Sequence, residues 1–390
     1  MKTAGFADVR ATNLAVVLRH LRANGPSSRA SIAASTGLNK ATVSSLTSDL
    51  INQRLLRETG LTGNRIGRPA TELALDGSAY AAIGLQVAAD RLTALAVDFA
   101  GDQLLLWHRA FDGGPAATGA GRAVSAITAL AQRAASRVRQ QGRHVLGLTV
   151  AVPGLVADGA TVRLSPPLGW ADLDLHGLLA GSLRQTDLAV AVANHAGLAA
   201  VAELRYGGHP GGANLTYVSG AVGVEAGLIV DGRPLRGAHG FTGQIGRFAL
   251  GPAGAPTLQD LAGIEPLVRR ALPDLDPSGD LSPAVELVAV RARAGDGTTL
   301  AALRDTGCHL GQGLALLANL VNPELIVLGD HYATLAEWLI PAAGTELARH
   351  TLAPDAGGAR LIASTLGLHA AALGGAVTHL DRVDTGALPA

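Results

Sequence analysis

Between residues 12 and 22 the order TNLAVVLRHLR sets Leu14, Val17, Leu18 and Leu21 three and four positions apart, which predicts a helix with one apolar face, and Asn24-Gly25-Pro26 stops it. Ser28 is placed to cap a second helix that turns Ile32 and Ala33 inward. Gly37 supplies a tight turn, and Asn39 caps a third helix with Val43, Leu46 and Leu50 on one face. This is helix-turn-helix spacing. The apolar pair Leu55-Leu56, a loop holding Gly60, Gly63, Asn64, Arg65, Gly67, Arg68 and Pro69, and an alternating segment through Leu73 and Leu75 then predict two strands around a basic wing.

From about residue 80 the pattern becomes strands alternating with helices. Strand-like runs at 81–87, 91–98 and 103–109 precede a helical segment near 120–141 and an apolar strand at 145–152. A second round begins near 213 with LTYVSG, GVEAGLIV and a turn at Asp231-Gly232, continues through several helices, and closes with the strand Leu325-Ile326-Val327-Leu328 and another at 360–363. Two similar strand-rich starts predict two α/β lobes of related fold with a ligand cleft between them. The expected division is 1–77 for the helix-turn-helix unit, 78–193 for lobe 1 and 194–367 for lobe 2, with a C-terminal helix at 368–384 packing back on lobe 1.

Charge sharpens this division. The chain of 390 residues carries no net charge, yet residues 1–77 hold ten Lys/Arg against five Asp/Glu, leaving 21 against 26 in the remainder. The small N-terminal unit is therefore the basic one, as a nucleic-acid partner requires. Cys308 is the only cysteine, which excludes a disulfide framework and any zinc cluster of several thiolates. The N-terminal residues show no secretory leader and no segment has the apolar length of a membrane span, so a cytoplasmic location is expected.

Small polar and basic residues at the start of a recognition helix reach bases and phosphates in the major groove without steric exclusion. Asn39, Lys40, Thr42, Ser44 and Ser45 meet that need. Ser28 and Arg29, at the preceding helix start, are expected to anchor phosphates, and Arg65 and Arg68 to enter a minor groove from the wing. The competing reading is a small helical interaction module whose serines only cap helices. Trp170, in SPPLGW, is read as core in preference to a cleft wall.

In order along the chain, the three helices, the wing GNRIGRP, VPGLV at 152–156, VSGAVGVEAGLIVDG at 218–232, GAHGFTGQIGR at 237–247 and NPELIVLGD at 322–330 resemble the ROK family of repressors, open reading frames and kinases. The resemblance implies a winged helix-turn-helix joined to an actin-like, two-lobed sugar-kinase fold, in a DNA-binding regulator that acts as a homodimer or homotetramer on a double-stranded operator. It also implies a sugar-type effector sensed in the cleft and carbohydrate-related target genes. The alternative it carries is a sugar kinase with an accessory N-terminal domain.

Departures from the family's kinase pattern argue against that alternative. The family's catalytic base is an Asp after an Asn, and the pair here is Asn194-His195. The first phosphate loop aligns with Gln86-Val87-Ala88-Ala89-Asp90, without glycines and with an acid, and the second places Glu225 at a glycine position. A carboxylate facing a triphosphate repels it. The zinc motif reads Gly243-Gln244-Ile245-Gly246-Arg247 with no cysteine over 248–260, so neither zinc nor ATP is expected as a cofactor and no catalysis follows. The family's sugar-binding positions correspond to Asn194, His195, Gln244, Arg247 and Gln259. Their lack of carboxylates favours an anionic sugar derivative clamped by Arg247.

Overall fold

The apolar stripe of the first helical segment forms α1 (Phe6–Asn24), whose Leu14, Val17, Leu18 and Leu21 are buried. A short strand β1 (Ser27–Ser28) leads into α2 (Arg29–Thr36) and α3 (Lys40–Asn52), each with the cap its sequence announces: Ser28 Oγ accepts from Ser31 N, and Asn39 Oδ1 from Thr42 N. Gly37 between them adopts φ 74°, a left-handed turn that suits glycine. Strands β2 (Leu56–Leu61) and β3 (Thr71–Leu75) pair antiparallel and β1 joins the far side of β3, completing a winged helix. This computed structural model describes residues 6–61, 71–111, 120–157, 160–186, 188–209, 212–221, 223–276, 279–352, 358–387 and 389.

Lobe 1 is a five-stranded sheet made of β4 (Tyr80–Val87), β5 (Arg91–Asp98), β6 (Gln103–Ala110) and, beyond the covering helix α4 (Ala120–Gln140), β7 (His144–Val152). Strands β8 (Leu155–Ala157), β9 (Thr161–Ser165) and β10 (Trp170–Leu173) fold into a small antiparallel sheet, and α5 (Leu175–Leu183) returns the chain to the edge strand β11 (Val190–Asn194). The resulting order is β11-β7-β4-β5-β6. Trp170 is buried in the core between this sheet, α4 and α5.

Helix α6 (His195–Tyr206) opens lobe 2, followed by β12 (Leu215–Gly220), β13 (Val224–Val230) and β14 (Arg233–Pro234). The helical layer consists of α7 (Leu258–Ala262), α8 (Ile264–Ala271), α9 (Ser282–Arg293) and α10 (Gly297–Val321), and after β15 (Leu325–Asp330) come α11 (His331–Thr334) and α12 (Ala336–His350). Strand β16 (Arg360–Ala363) completes the order β14-β13-β12-β15-β16, and α13 (Ala370–Asp384) ends the fold. Alternation splits each strand between two cores: Val218, Ile326 and Leu328 face the outer helices, whereas Tyr217, Leu325 and Val327 face α6 and α13.

The lobes meet through these last two helices. Helix α13 lies on β4, β5 and β7, α6 lies on β12 and β13, and the helices pack on each other, giving the layers sheet, α13, α6, sheet. Glycines permit the close approach: a Cβ on Gly374 of α13 would collide with the Leu198 carbonyl of α6, and one on Gly227 of β13 with the Ala196 carbonyl. The other side of α13, with Ala376, Leu380 and Val383, shares one continuous core with Leu14, Leu18 and Leu21 of α1 and with Phe99. The winged helix is thus packed directly on the helix that joins the lobes.

Candidate nucleic-acid interface and ligand site

Helix α3 turns Val43, Leu46 and Leu50 inward and leaves Lys40, Ser44, Ser45 and Ser48 exposed on the opposite side. Thr42 is half-buried, and Asn39 is engaged as its cap. Arg29 departs from expectation. Its Nε donates to Thr47 Oγ1 at 3.2 Å and its Nη2 to Glu58 Oε1 at 2.9 Å, so it fastens α2 to α3 and β2 instead of standing free for phosphate. Ser28 likewise spends its hydroxyl oxygen on the α2 cap, although its hydroxyl hydrogen remains available. Arg57, for which no sequence motif speaks, is exposed on β2; only the strand register indicates that it points outward. Arg65 and Arg68 lie outside the described residues.

At the junction of the lobes, β11 ends in Asn194, whose Oδ1 caps α6 by accepting from Gly197 N at 3.0 Å. Its Nδ2 donates to the Gly154 carbonyl and to Glu225 Oε2, both at 2.7 Å, while Glu225 Oε1 accepts from Gly154 N at 3.0 Å. Glu225 therefore corrects two expectations. It is 9% exposed and points from β13 toward Gly154 and Asn194, where it ties lobe 1 to lobe 2, and not into a phosphate loop. It also returns a carboxylate to the Asn194 end of the site, which removes the premise on which an anionic effector rested.

His195 is 6% exposed, with Nε2 at 2.9 Å from Ser219 Oγ and Nδ1 at 3.5 Å from Glu225 Oε2. Ser219 in turn donates to Asp330 Oδ2 at 2.5 Å. His195 thus belongs to a buried hydrogen-bonded chain with Ser219 and Asp330, its Nδ1 beside Glu225 without a hydrogen bond, rather than to an open ligand wall. Asp330 ends β15 with φ 50° and ψ −130°, a conformation rare for a residue with a side chain, held by the Ser219 bond and by Tyr217 Oη accepting from its amide at 3.2 Å. Burial pushes the neighbouring His331 below the ordinary histidine range.

The remaining expected ligand residues lie on adjoining turns. The Gly243 carbonyl accepts from Ala226 N at 2.7 Å, which sets Gln244 beside the strand carrying Glu225. Gln259, in the first turn of α7, places Oε1 where Cβ atoms on Gly223 and Gly246 would meet it at 3.3 Å and 3.2 Å. Arg247 is exposed at the rim near Asp260, whose carboxyl is held low by the Thr257 amide and hydroxyl, with Arg247 contributing less. Asn194, Gln244 and Gln259 thus gather around β13 with Arg247 outside them. Among the described residues no group of three or more His, Cys, Asp or Glu is arranged to hold a metal ion.

The β4–β5 turn, which aligns with the first phosphate loop, is bridged across the cleft. Arg91 Nε donates to Asp90 Oδ2 at 3.1 Å, and its Nη2 reaches Asp280 Oδ1 at 2.9 Å and Ser282 Oγ at 2.7 Å on lobe 2. Asp90 is therefore a paired charge and not the bare carboxylate the sequence suggested.

A second polar cluster joins the winged helix to the lobes. Asp384, 4% exposed at the end of α13, accepts from Arg22 Nε at 2.7 Å and Nη2 at 2.9 Å on α1, and from Arg205 Nη2 at 2.6 Å on α6. Arg205 also pairs with Asp381. Arg22 donates further to the Phe99 carbonyl at 3.1 Å and stacks 5.0 Å from the Phe99 ring centroid. No sequence motif marks this triad, because its members are 183 and 179 positions apart.

Comparison with known proteins places this arrangement. The profile described as the ROK family matches residues 83–382, and that of the IclR helix-turn-helix domain matches residues 11–60. A xylose repressor of Bacillus spizizenii is 26% identical over 381 residues, covering 96% of each chain. Among solved structures, a ROK family transcriptional regulator described as a homolog of the E. coli MLC protein superposes with TM-score 0.80 at 22% identity over 98% of both chains. A ROK family glucokinase from Streptomyces griseus, in complex with glucose and AMPPNP, superposes with TM-score 0.65 at 23% identity, covering 76% of this chain and 98% of its own. No helix among the described residues is long and apolar enough to cross a membrane.

Proposed function

The chain belongs to the ROK family, and from that premise, with a helix-turn-helix ahead of the kinase-like lobes, we propose that it is a DNA-binding repressor of sugar genes whose lobes sense a sugar. The observation that carries the reading is the match of repressor relatives across both parts of the chain, with the exposed Lys40, Ser44 and Ser45 on α3 supplying the groove-facing surface. A winged helix this small reads a two-fold operator as a dimer, which supports a homodimer or a higher even assembly.

The effector is a neutral sugar held between the lobes. Glu225 and Asn194 form the floor, Gln244 and Gln259 offer both donors and acceptors to hydroxyls, and Arg247 closes the rim. Glu225 retains a free lone pair on each oxygen after its bonds to Gly154 and Asn194, so hydroxyl donors have acceptors there. Phosphoryl transfer does not fit. A base must reach the reacting hydroxyl, yet His195 is enclosed and bonded to Ser219, and the Arg91–Asp280 bridge occupies the phosphate side of the cleft.

Transmission follows α6. Its first turn carries Asn194 and His195 and its last turn Arg205, so a shift of this rigid segment on sugar binding moves Asp384 and, through Arg22, the helix α1 of the DNA-binding unit. The test is selection of bound fragments from sheared genomic DNA, followed by titration with neutral aldoses. Release of specific fragments by one aldose, without ATP-dependent phosphorylation of it, supports the reading, whereas phosphorylation of any sugar contradicts it.

A further inference from the structure

A cavity of about 530 Å³ lies between the edge strands of the two sheets, behind Asn194 and over α6 and α13. Its volume falls within the range of small-molecule sites. The apolar side chains of Val192, Leu198, Val201 and Leu228 form its walls, and its polar contributions come from Thr149 on β7, Asn194 on β11, α13 and the loop after β14. It shares only Asn194 with the sugar site, and that amide is already committed to Gly154 and Glu225, so the two sites stand back to back.

The charge of this cavity is one-sided. Arg236 and Arg382 line it, no Asp or Glu does, and neither arginine has a carboxylate partner among the described residues. His379 turns Nε2 onto Thr149 Oγ1 at 3.0 Å and burial lowers it to about 4, so it contributes no charge near neutrality. Two unpaired guanidinium groups above an apolar wall attract a carboxylate or similar head group, since a planar guanidinium grips such oxygens in a fork. A neutral polyol has no use for either feature.

We infer that this cavity binds a compact organic anion with an apolar body, its carboxylate on Arg236 and Arg382 and its hydrocarbon part against Val192, Leu198 and Leu228. Because Arg382 lies on α13, two positions before Asp384, an occupant would press on the same helix that holds Arg22 of the DNA-binding unit. The inference does not depend on the sugar site, and release of operator DNA by an aldose succeeds or fails separately.

Isothermal titration of the full chain with octanoate, and in parallel with octanamide, tests it. The expected result is saturable binding of one octanoate per chain, with octanamide at least about tenfold weaker. Arg236→Ala and Arg382→Ala should each weaken octanoate about tenfold while leaving octanamide unchanged, the loss expected for one charge-assisted contact. Both arginines are exposed, and unchanged circular dichroism and thermal midpoints would show that the variants keep their fold. Absence of saturable octanoate binding, equal affinity for octanamide, or affinity insensitive to both substitutions overturns the inference.

Discussion

Arg22→Met separates the joint between the winged helix and the lobes from the packing around it. Methionine keeps an unbranched apolar stem on the Phe99 ring but removes both guanidinium bonds to Asp384 and the one to the Phe99 carbonyl. Asp384 retains Arg205 at 2.6 Å, so the loss falls short of the roughly 3–5 kcal/mol that follows when a buried charge is left alone. A charge-assisted contact contributes about 1.5–3 kcal/mol, which for a cooperative unit of 150–250 residues corresponds to a fall in Tm of roughly 3–12 °C. Asp384→Asn should cost more, because it leaves Arg22 and Arg205 facing each other without the shared carboxylate. The assay is calorimetric unfolding combined with operator binding in the presence and absence of the releasing aldose. Arg22→Met should keep operator binding while losing most of the aldose effect, and a double cycle with Arg205→Met should show non-additivity. Full aldose response together with energies additive within about 0.5 kcal/mol would refute the reasoning.

Three further outcomes follow from the same structure. Gly374→Ala forces a methyl group into the Leu198 carbonyl and should cost about 1–3 kcal/mol, measured by denaturant unfolding. Glu225→Gln sets an amide hydrogen against Asn194 Nδ2 or Gly154 N, so it should weaken aldose binding in titration and lower stability by about 1–3 kcal/mol, with operator affinity in the absence of sugar retained. His379 is about 4 when folded against 6.5 in its ordinary state, so the unfolded chain binds its proton first on acidification. Its contribution of about 3 kcal/mol is complete above 6.5 and disappears as the pH falls toward 4, and a His379→Gln variant should show a shallower loss of stability over that window.

The winged helix was legible because its signals are local. Ser28, Gly37 and Asn39 act within four residues of their own position, and the inward stripe of α3 follows the helical period. The two lobes were legible from their long apolar strands. Strands β8 to β11 were not, since runs of three to five residues such as Val190–Asn194 are too short for periodicity to separate strand from helix. At the candidate ligand site, Asn194 and His195 stand where the lobes meet, yet Glu225 reaches them from a strand 31 and 30 residues away, and only the fold reveals that proximity. The same holds for Arg29, whose partners Thr47 and Glu58 lie in other elements.

The central claim, that the chain is a sequence-specific DNA-binding protein, is tested most directly by fluorescence anisotropy of the purified full chain on DNA from upstream of its own gene. A scrambled duplex and Lys40→Ala serve as comparisons, over a range of salt concentrations. The account predicts saturable binding that exceeds scrambled DNA by about 10³-fold or more, weakens with salt, and is reduced by Lys40→Ala with a shallower salt slope. Equal affinity for both duplexes at every salt concentration, unchanged by the substitution, would contradict it.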